Sequence, residues 1–164
     1  MEFLNHMEKA IEVIKSKGAF LTVKDGKRVN TMTIGWANIG YQWKKPVLAV
    51  MVRESRYTFD IIENSSEFTV SIPVNVDMKK ELTLCGTKSG RDIDKFKECN
   101  LQLEHGKKVE TPIIGNCDLH FECKIVYKEK MNPDLLCDEI KESCYKNGDY
   151  HTFYYGEIVD CYLK

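Results

Sequence analysis

Only four of the 24 basic residues are arginine, and Arg28, Arg53, Arg56 and Arg91 fall in or beside three short segments rich in hydroxyls and glycine. A guanidinium is a planar fork of donors that matches phosphate oxygens, whereas lysine is a mobile point charge. The first segment is Asn30-Thr31-Met32-Thr33-Ile34-Gly35-Trp36. Its Asn and Thr side chains add donors beside main-chain amides. Met32 and Trp36 add polarisable apolar surface, so the mix can hold a flat heteroaromatic ring by its polar edge. The same residues also make an ordinary strand, with threonines on its wet face and Trp36 in the core. The second segment, Arg53-Glu54-Ser55-Arg56-Tyr57-Thr58, directly follows an apolar run. Two guanidiniums and two hydroxyls at the start of a helix make an anion site, since amides there already favour negative charge. The alternative is a solvated turn in which Arg56 pairs with Asp60 or Glu63. The third, Cys85-Gly86-Thr87-Lys88-Ser89-Gly90-Arg91-Asp92-Ile93-Asp94-Lys95-Phe96, reads as a polar loop anchored by Phe96. It can fold over a ligand or stand exposed with ion pairs of its own.

Strands and turns must position these segments. A first helix is expected after Asn5, which with Glu8 has capping-box spacing; Met7, Ala10, Ile11 and Ile14 follow at helical intervals and Gly18 stops it. Residues 19–24 and 28–33 read as strands joined by an Asp25-Gly26 turn, with 35–40 continuing or bending. The apolar run 47–52 suits a central strand. A short helix is expected over 58–63, capped by Thr58, then a strand over 67–72 stopped by Pro73 and a helix over 77–84. Leu119, Phe121, Cys123 and Ile125 alternate as in a half-buried strand. A helix over 133–145 precedes a last strand over 152–162. Many short strands and few helices predict one mainly β domain, residues 1–164, a barrel with helical additions; a doubly wound sheet is not expected.

Composition narrows the function. The formal net charge of −1 argues against nucleic acid as a partner, and 43% hydrophobic residues suffice for a packed core. No apolar run approaches the roughly 18 residues that span a bilayer. Glu2, Glu8 and Glu12 interrupt any leader-like stretch, and seven cysteines, an odd number, fit free thiols in a reducing compartment. A cytoplasmic protein is the expectation. The cysteines and the four histidines show no metal-ligand spacing, and neither a Gly-x-Gly-x-x-Gly fingerprint nor a phosphate-binding loop is present.

Taken together and in order, the segments resemble the flavin reductase-like family, whose fold is the FMN-binding antiparallel split β-barrel. The matching pieces are Asn30-Thr31-Met32-Thr33 with Trp36, Arg53-x-Ser55-Arg56-Tyr57-Thr58, and Cys85-Gly86 followed by Ser89-Gly90-Arg91-Asp92-x-Asp94-Lys95-Phe96. A fourth is His151-Thr152 leading to Gly156-Glu157-Ile158. The resemblance implies a homodimer with FMN near the subunit interface. Asn30, Thr31, Met32, Thr33 and Trp36 would meet the ring and ribityl chain. Arg53, Ser55, Arg56 and Thr58, with the neighbouring Val52, would face the ribityl chain and phosphate, and Ser89, Gly90, Arg91 and Lys95 would close the site. His151 would lie near the flavin or the interface, a candidate for a catalytic role. Two features depart from the family pattern: Tyr150 separates Gly148-Asp149 from His151, and an acidic insert spans 130–147. The implied activity is NAD(P)H-dependent flavin reduction through bound FMN, with NADH or NADPH as transient donor. The alternatives are a flavoredoxin-like electron carrier serving a redox partner protein, and a barrel without its cofactor.

Overall fold

The computed structural model describes residues 3–164, so Met1 and Glu2, which entered the leader argument, lie outside the described residues. Helix α1 (Phe3–Ser16) turns Ala10, Val13 and Ile14 into the core. It begins before Asn5, which therefore sits inside the helix and does not cap it. Partly buried Phe3, Met7 and Ile11 pack on the core, and this tertiary burial carries the helix past the local cap signal. Gly18 ends it at φ +94°, with its N–H 3.1 Å from the Val13 and Ile14 carbonyls.

Strands β1 (Ala19–Asp25) and β2 (Arg28–Ile34) form a hairpin on the two-residue loop Gly26-Lys27, one position beyond the expected Asp25-Gly26. β3 (Ala37–Gln42) and β4 (Lys45–Arg53) form a second, whose loop residues Trp43 and Lys44 both have positive φ. Such loops match strand twist, and contacts of the Trp43 ring with Tyr127 and Tyr155, centroids 5.9 Å away, offset the steric cost. After α2 (Tyr57–Ile62) come β5 (Glu67–Ile72), α3 (Lys79–Thr87), α4 (Lys95–Glu98), the short β6 (Leu103–Glu104) and β7 (Ile113–Ile114), β8 (Leu119–Lys130), α5 (Asp138–Cys144) and β9 (His151–Leu163).

Seven strands make one antiparallel sheet in the order β2-β1-β5-β8-β9-β4-β3, leaving β2 and β3 as its edges. Strand alternation divides the apolar residues between two clusters. Leu21 and Val23 of β1 join Val50, Phe68, Val70, Phe121 and the buried side chains of α1 and α2, while Phe20 turns to Leu82, Cys85 and Ile114. Among the described residues no helix is long and apolar enough to cross a membrane.

Three helix readings need correction. Arg56, not Thr58, stands at the N-cap of α2, without a side-chain cap bond; the Thr58 hydroxyl instead accepts from Asn30 Nδ2 at 2.9 Å. Helix α3 runs past residue 84 because Leu82 and Cys85 both face the second cluster. Cys85 and Gly86 are therefore helical and the polar loop shrinks to 88–94. The inserted helix breaks into a 3₁₀ turn (Pro133–Leu135), where Asn132 Oδ1 accepts from the Asp134 N–H at 3.0 Å, followed by α5. This local cap outcompetes a continuous helix, since neither piece has a buried residue to hold it.

Candidate functional site

The edge strand β2, the turn after β4, the end of α3 with its loop, and the start of β9 converge on a cleft. One cavity of about 180 Å³ is lined by Met32, Thr33, Trp36, Met51, Arg53, Arg56 and His151, among others. A second of about 140 Å³ is lined by Asn30, Met32, Ser55, Arg56, Thr58, Ser89, Gly90, Arg91 and Lys95, among others. Met32 and Arg56 belong to both, so the cavities are two ends of one groove. Neither alone reaches the roughly 300 Å³ at which ligand pockets begin; joined, they do.

Thirteen of the fifteen residues singled out in the sequence line this groove. Thr31 and Val52 do not. Alternation along β2 points Asn30 and Met32 at the groove and Thr31 away from it. The Thr31 hydroxyl donates to the Leu21 carbonyl at 3.2 Å and accepts from Thr22 at 3.1 Å. Val52 is fully buried in the main core. Trp36 is not a core residue: it is 48% exposed and forms one wall of the groove. Arg28 pairs with Asp25 in its own hairpin and lines neither cavity.

The cations in the groove are not equivalent. Arg53 donates to the main-chain carbonyls of Asp149 and, at 3.0 Å, Cys144, and its guanidinium lies 5.0 Å from the Tyr145 ring centroid. Arg91 pairs with Asp60 at 2.6 Å, donates to the Ser55 carbonyl at 3.2 Å, and stacks on Tyr57. Lys95 is buried, and its Nζ bridges the carbonyls of Thr31 at 2.9 Å and Cys85 at 2.8 Å. Burial lowers its pKa, and Arg56 pushes the same way. The Arg56 guanidinium alone among these four has no hydrogen-bond or ion-pair partner among the described residues, and it stands where the two cavities meet. The expected pairing with Asp60 is made by Arg91 instead.

The loop end is shaped for close approach. A Cβ on Gly90 would fall on the Asn30 amide oxygen and come 3.0 Å from Tyr57, and one on Gly86 would come 3.3 Å from Thr33. At the other end His151 is 8% exposed, 5.6 Å from the Trp36 ring, and hydrogen-bonded through Nδ1 to the Tyr145 hydroxyl at 2.6 Å. Burial brings its pKa down to about 4; Arg53 and Arg56 add to this and Asp149 opposes it. Through Tyr145 the acidic insert contacts His151 of the groove wall, and just beyond the insert Asp149 accepts from Ser55 Oγ at 2.6 Å.

Sequence reasoning missed Met51, hidden in an all-apolar run in which only alternation with Val50 and Val52 sets it apart. It also missed Tyr145, whose signal was the clustering of Tyr145, Tyr150 and His151 at the departure from the family pattern.

A seven-stranded antiparallel barrel sheet whose edge strand, β4 turn and glycine-bearing loop converge on one groove defines the class of flavin reductase-like split barrels. The chain belongs to that family: the flavin reductase like domain matches residues 13–164. It is 30% identical over 149 residues to an uncharacterized protein from Archaeoglobus fulgidus, covering 91% of this chain and 73% of the relative. Among solved structures it is similar to flavoredoxin from Methanosarcina acetivorans, with 26% identity, a TM-score of 0.70, and 90% of this chain and 68% of that chain covered. Flavoredoxin of Desulfovibrio vulgaris (Miyazaki F) is as near, at 26% identity, a TM-score of 0.69, and 90% and 69% coverage.

Proposed function

We propose that the groove binds FMN and that the protein is an NAD(P)H-dependent flavin reductase. The observation that carries the reading is Arg56, a guanidinium without a hydrogen-bond or ion-pair partner among the described residues, at the junction of two cavities. A phosphate dianion supplies the paired, charge-assisted acceptors that such a fork lacks here. Ser55, Ser89 and the Gly90 main chain stand around the same end. Gly86 and Gly90, where a Cβ would crowd the wall, leave the backbone close enough to cradle a ligand. Toward the other end Met32, Met51 and Trp36 give apolar walls for a flat ring, and outward N–H groups of the edge strand β2 give donors for its polar rim. Arg53, Arg91 and Lys95 hold the walls in place.

When bound, the flavin supplies the redox chemistry, taking electrons from a reduced nicotinamide nucleotide and passing them on. Around its site, Arg53 would hold the carbonyls of Cys144 and Asp149 in place, and half-exposed Trp36 would supply one wall for a planar ring.

A second reading, an electron carrier for a partner protein, is favoured by one fact: the solved structures at 26% identity are flavoredoxins. One experiment separates the readings. The protein is incubated with FMN, freed of excess by gel filtration, and mixed without oxygen with NADH or NADPH. Retained yellow colour and rapid bleaching support the reductase. Retained colour that bleaches only with a ferredoxin-like donor supports the carrier. A colourless protein contradicts both.

A further inference from the structure

The insert carries one group that acts on the groove without lining it. Tyr145 is 5% exposed and absent from both cavity walls. Burial raises its pKa, so the hydroxyl keeps its proton. Among the described residues that hydroxyl has a single hydrogen-bond partner, His151 Nδ1. With no other acceptor for the phenol proton among the described residues, that proton is satisfied only by donating to Nδ1, an arrangement that leaves Nδ1 as the unprotonated nitrogen. The neutral ring then carries its proton on Nε2.

Nε2 has no hydrogen-bond partner among the described residues, yet no buried side-chain nitrogen or oxygen among them lacks one. Nε2 is therefore open to solvent, and His151 lines the groove beside Trp36 and Met51. Arg53 makes the arrangement rigid, packing its guanidinium on the Tyr145 ring while holding the carbonyls on either side, Cys144 and Asp149. Tyr150 also stacks on Tyr145, centroids 5.0 Å apart.

We infer that Tyr145 is a positioning residue that fixes His151 as the Nε2–H tautomer, so that the Trp36 end offers a neutral donor to a ligand carbonyl. The chemistry it selects is a planar, uncharged ring bearing a carbonyl, such as a nicotinamide carboxamide or a quinone. An anionic head is served by Arg56, where the two cavities meet. The ligand class rests on the flavin reading above; the tautomer does not.

The test has two parts. Two-bond ¹H–¹⁵N correlation spectra of the full-length protein without flavin report which ring nitrogen of His151 is protonated. A single Nε2–H form is expected, and a mixture in Tyr145→Phe. The FMN-loaded proteins are then titrated with NAD⁺ and with 1,4-naphthoquinone. Loss of the positioning bond is expected to weaken the carbonyl ligand about tenfold, while FMN affinity stays within about threefold because Tyr145 does not line the groove. Weakening confined to NAD⁺ assigns the carboxamide, and weakening confined to the quinone assigns the quinone. An Nδ1–H signal in the unmodified protein overturns the inference without recourse to any variant. So does equal binding of both ligands by the two proteins, or binding of neither. Failure of FMN itself to bind contradicts the flavin reading and leaves the tautomer spectrum to decide the role of Tyr145.

Discussion

Arg53 and Arg56 stand three residues apart in the same turn, yet the two ends of the groove use them in opposite ways. At the Trp36 end Arg53 is consumed by the protein, bound to the carbonyls of Cys144 and Asp149 and packed on Tyr145. Where the two cavities meet, the Arg56 guanidinium has no acceptor among the described residues, while toward the loop end Arg91 pairs with Asp60 and Asn30 with Thr58. A guanidinium is a ligand for phosphate only where its donors are free. Position in a motif marks both arginines; only the inventory of acceptors tells the clamp from the binding group.

Breaking this contrast gives the largest expected effect. Arg56→Ala is expected to weaken FMN by roughly 2 to 4 kcal/mol, about 30- to 1,000-fold, through loss of a charge-assisted contact. Riboflavin, which has no phosphate, should bind both proteins alike; fluorescence titration of the two flavins measures the difference. Arg53→Ala should reverse the pattern. Losing its hydrogen bonds from a charged donor costs about 1.5–3 kcal/mol of local stability. That loss is expected as faster hydrogen exchange over 131–150, with a smaller change in FMN affinity than Arg56→Ala gives.

Gly90→Ala sharpens the picture of the loop end. The new Cβ displaces Asn30 from Thr58 or pushes on Tyr57, an overpacking of about 1–3 kcal/mol. The thermal midpoint and FMN affinity should fall together, with the His151 tautomer unchanged. The smallest effect is on pH dependence. Burial holds both His120 and His151 down to about 4, against an ordinary 6.5. The unfolded chain takes up protons first, so stability should be level between about pH 7 and 8 and decline as pH falls from 6.5 toward 4. Urea midpoints across that range check it, and His151→Asn should flatten part of the slope.

Much of this was legible in residue patterns. The edge-strand segment, the turn after the apolar run and the glycine-bearing loop were visible as separate stretches, because Asn, Thr, Arg and Gly in a row have few uses inside a strand. Their convergence followed from the resemblance and from the sheet order. What escaped was whatever tertiary contact decides. Thr31 looked like Thr33 until strand alternation turned its hydroxyl toward Thr22 and Leu21. Val52 read as a neighbour of Arg53 until the core claimed it. Lys95 looked like a closing cation, yet burial commits it to two carbonyls. Tyr145 could not be placed because nothing within the insert says that it folds back onto Arg53.

In the proposed function the phosphate end of FMN is held by Arg56, the groove guanidinium without a partner among the described residues. A crystal structure of the FMN-loaded protein tests it most directly. The account predicts phosphate oxygens within hydrogen-bond distance of Arg56, with Arg53 still on the carbonyls of Cys144 and Asp149. A phosphate seated on Arg53 or lying outside the groove would contradict it.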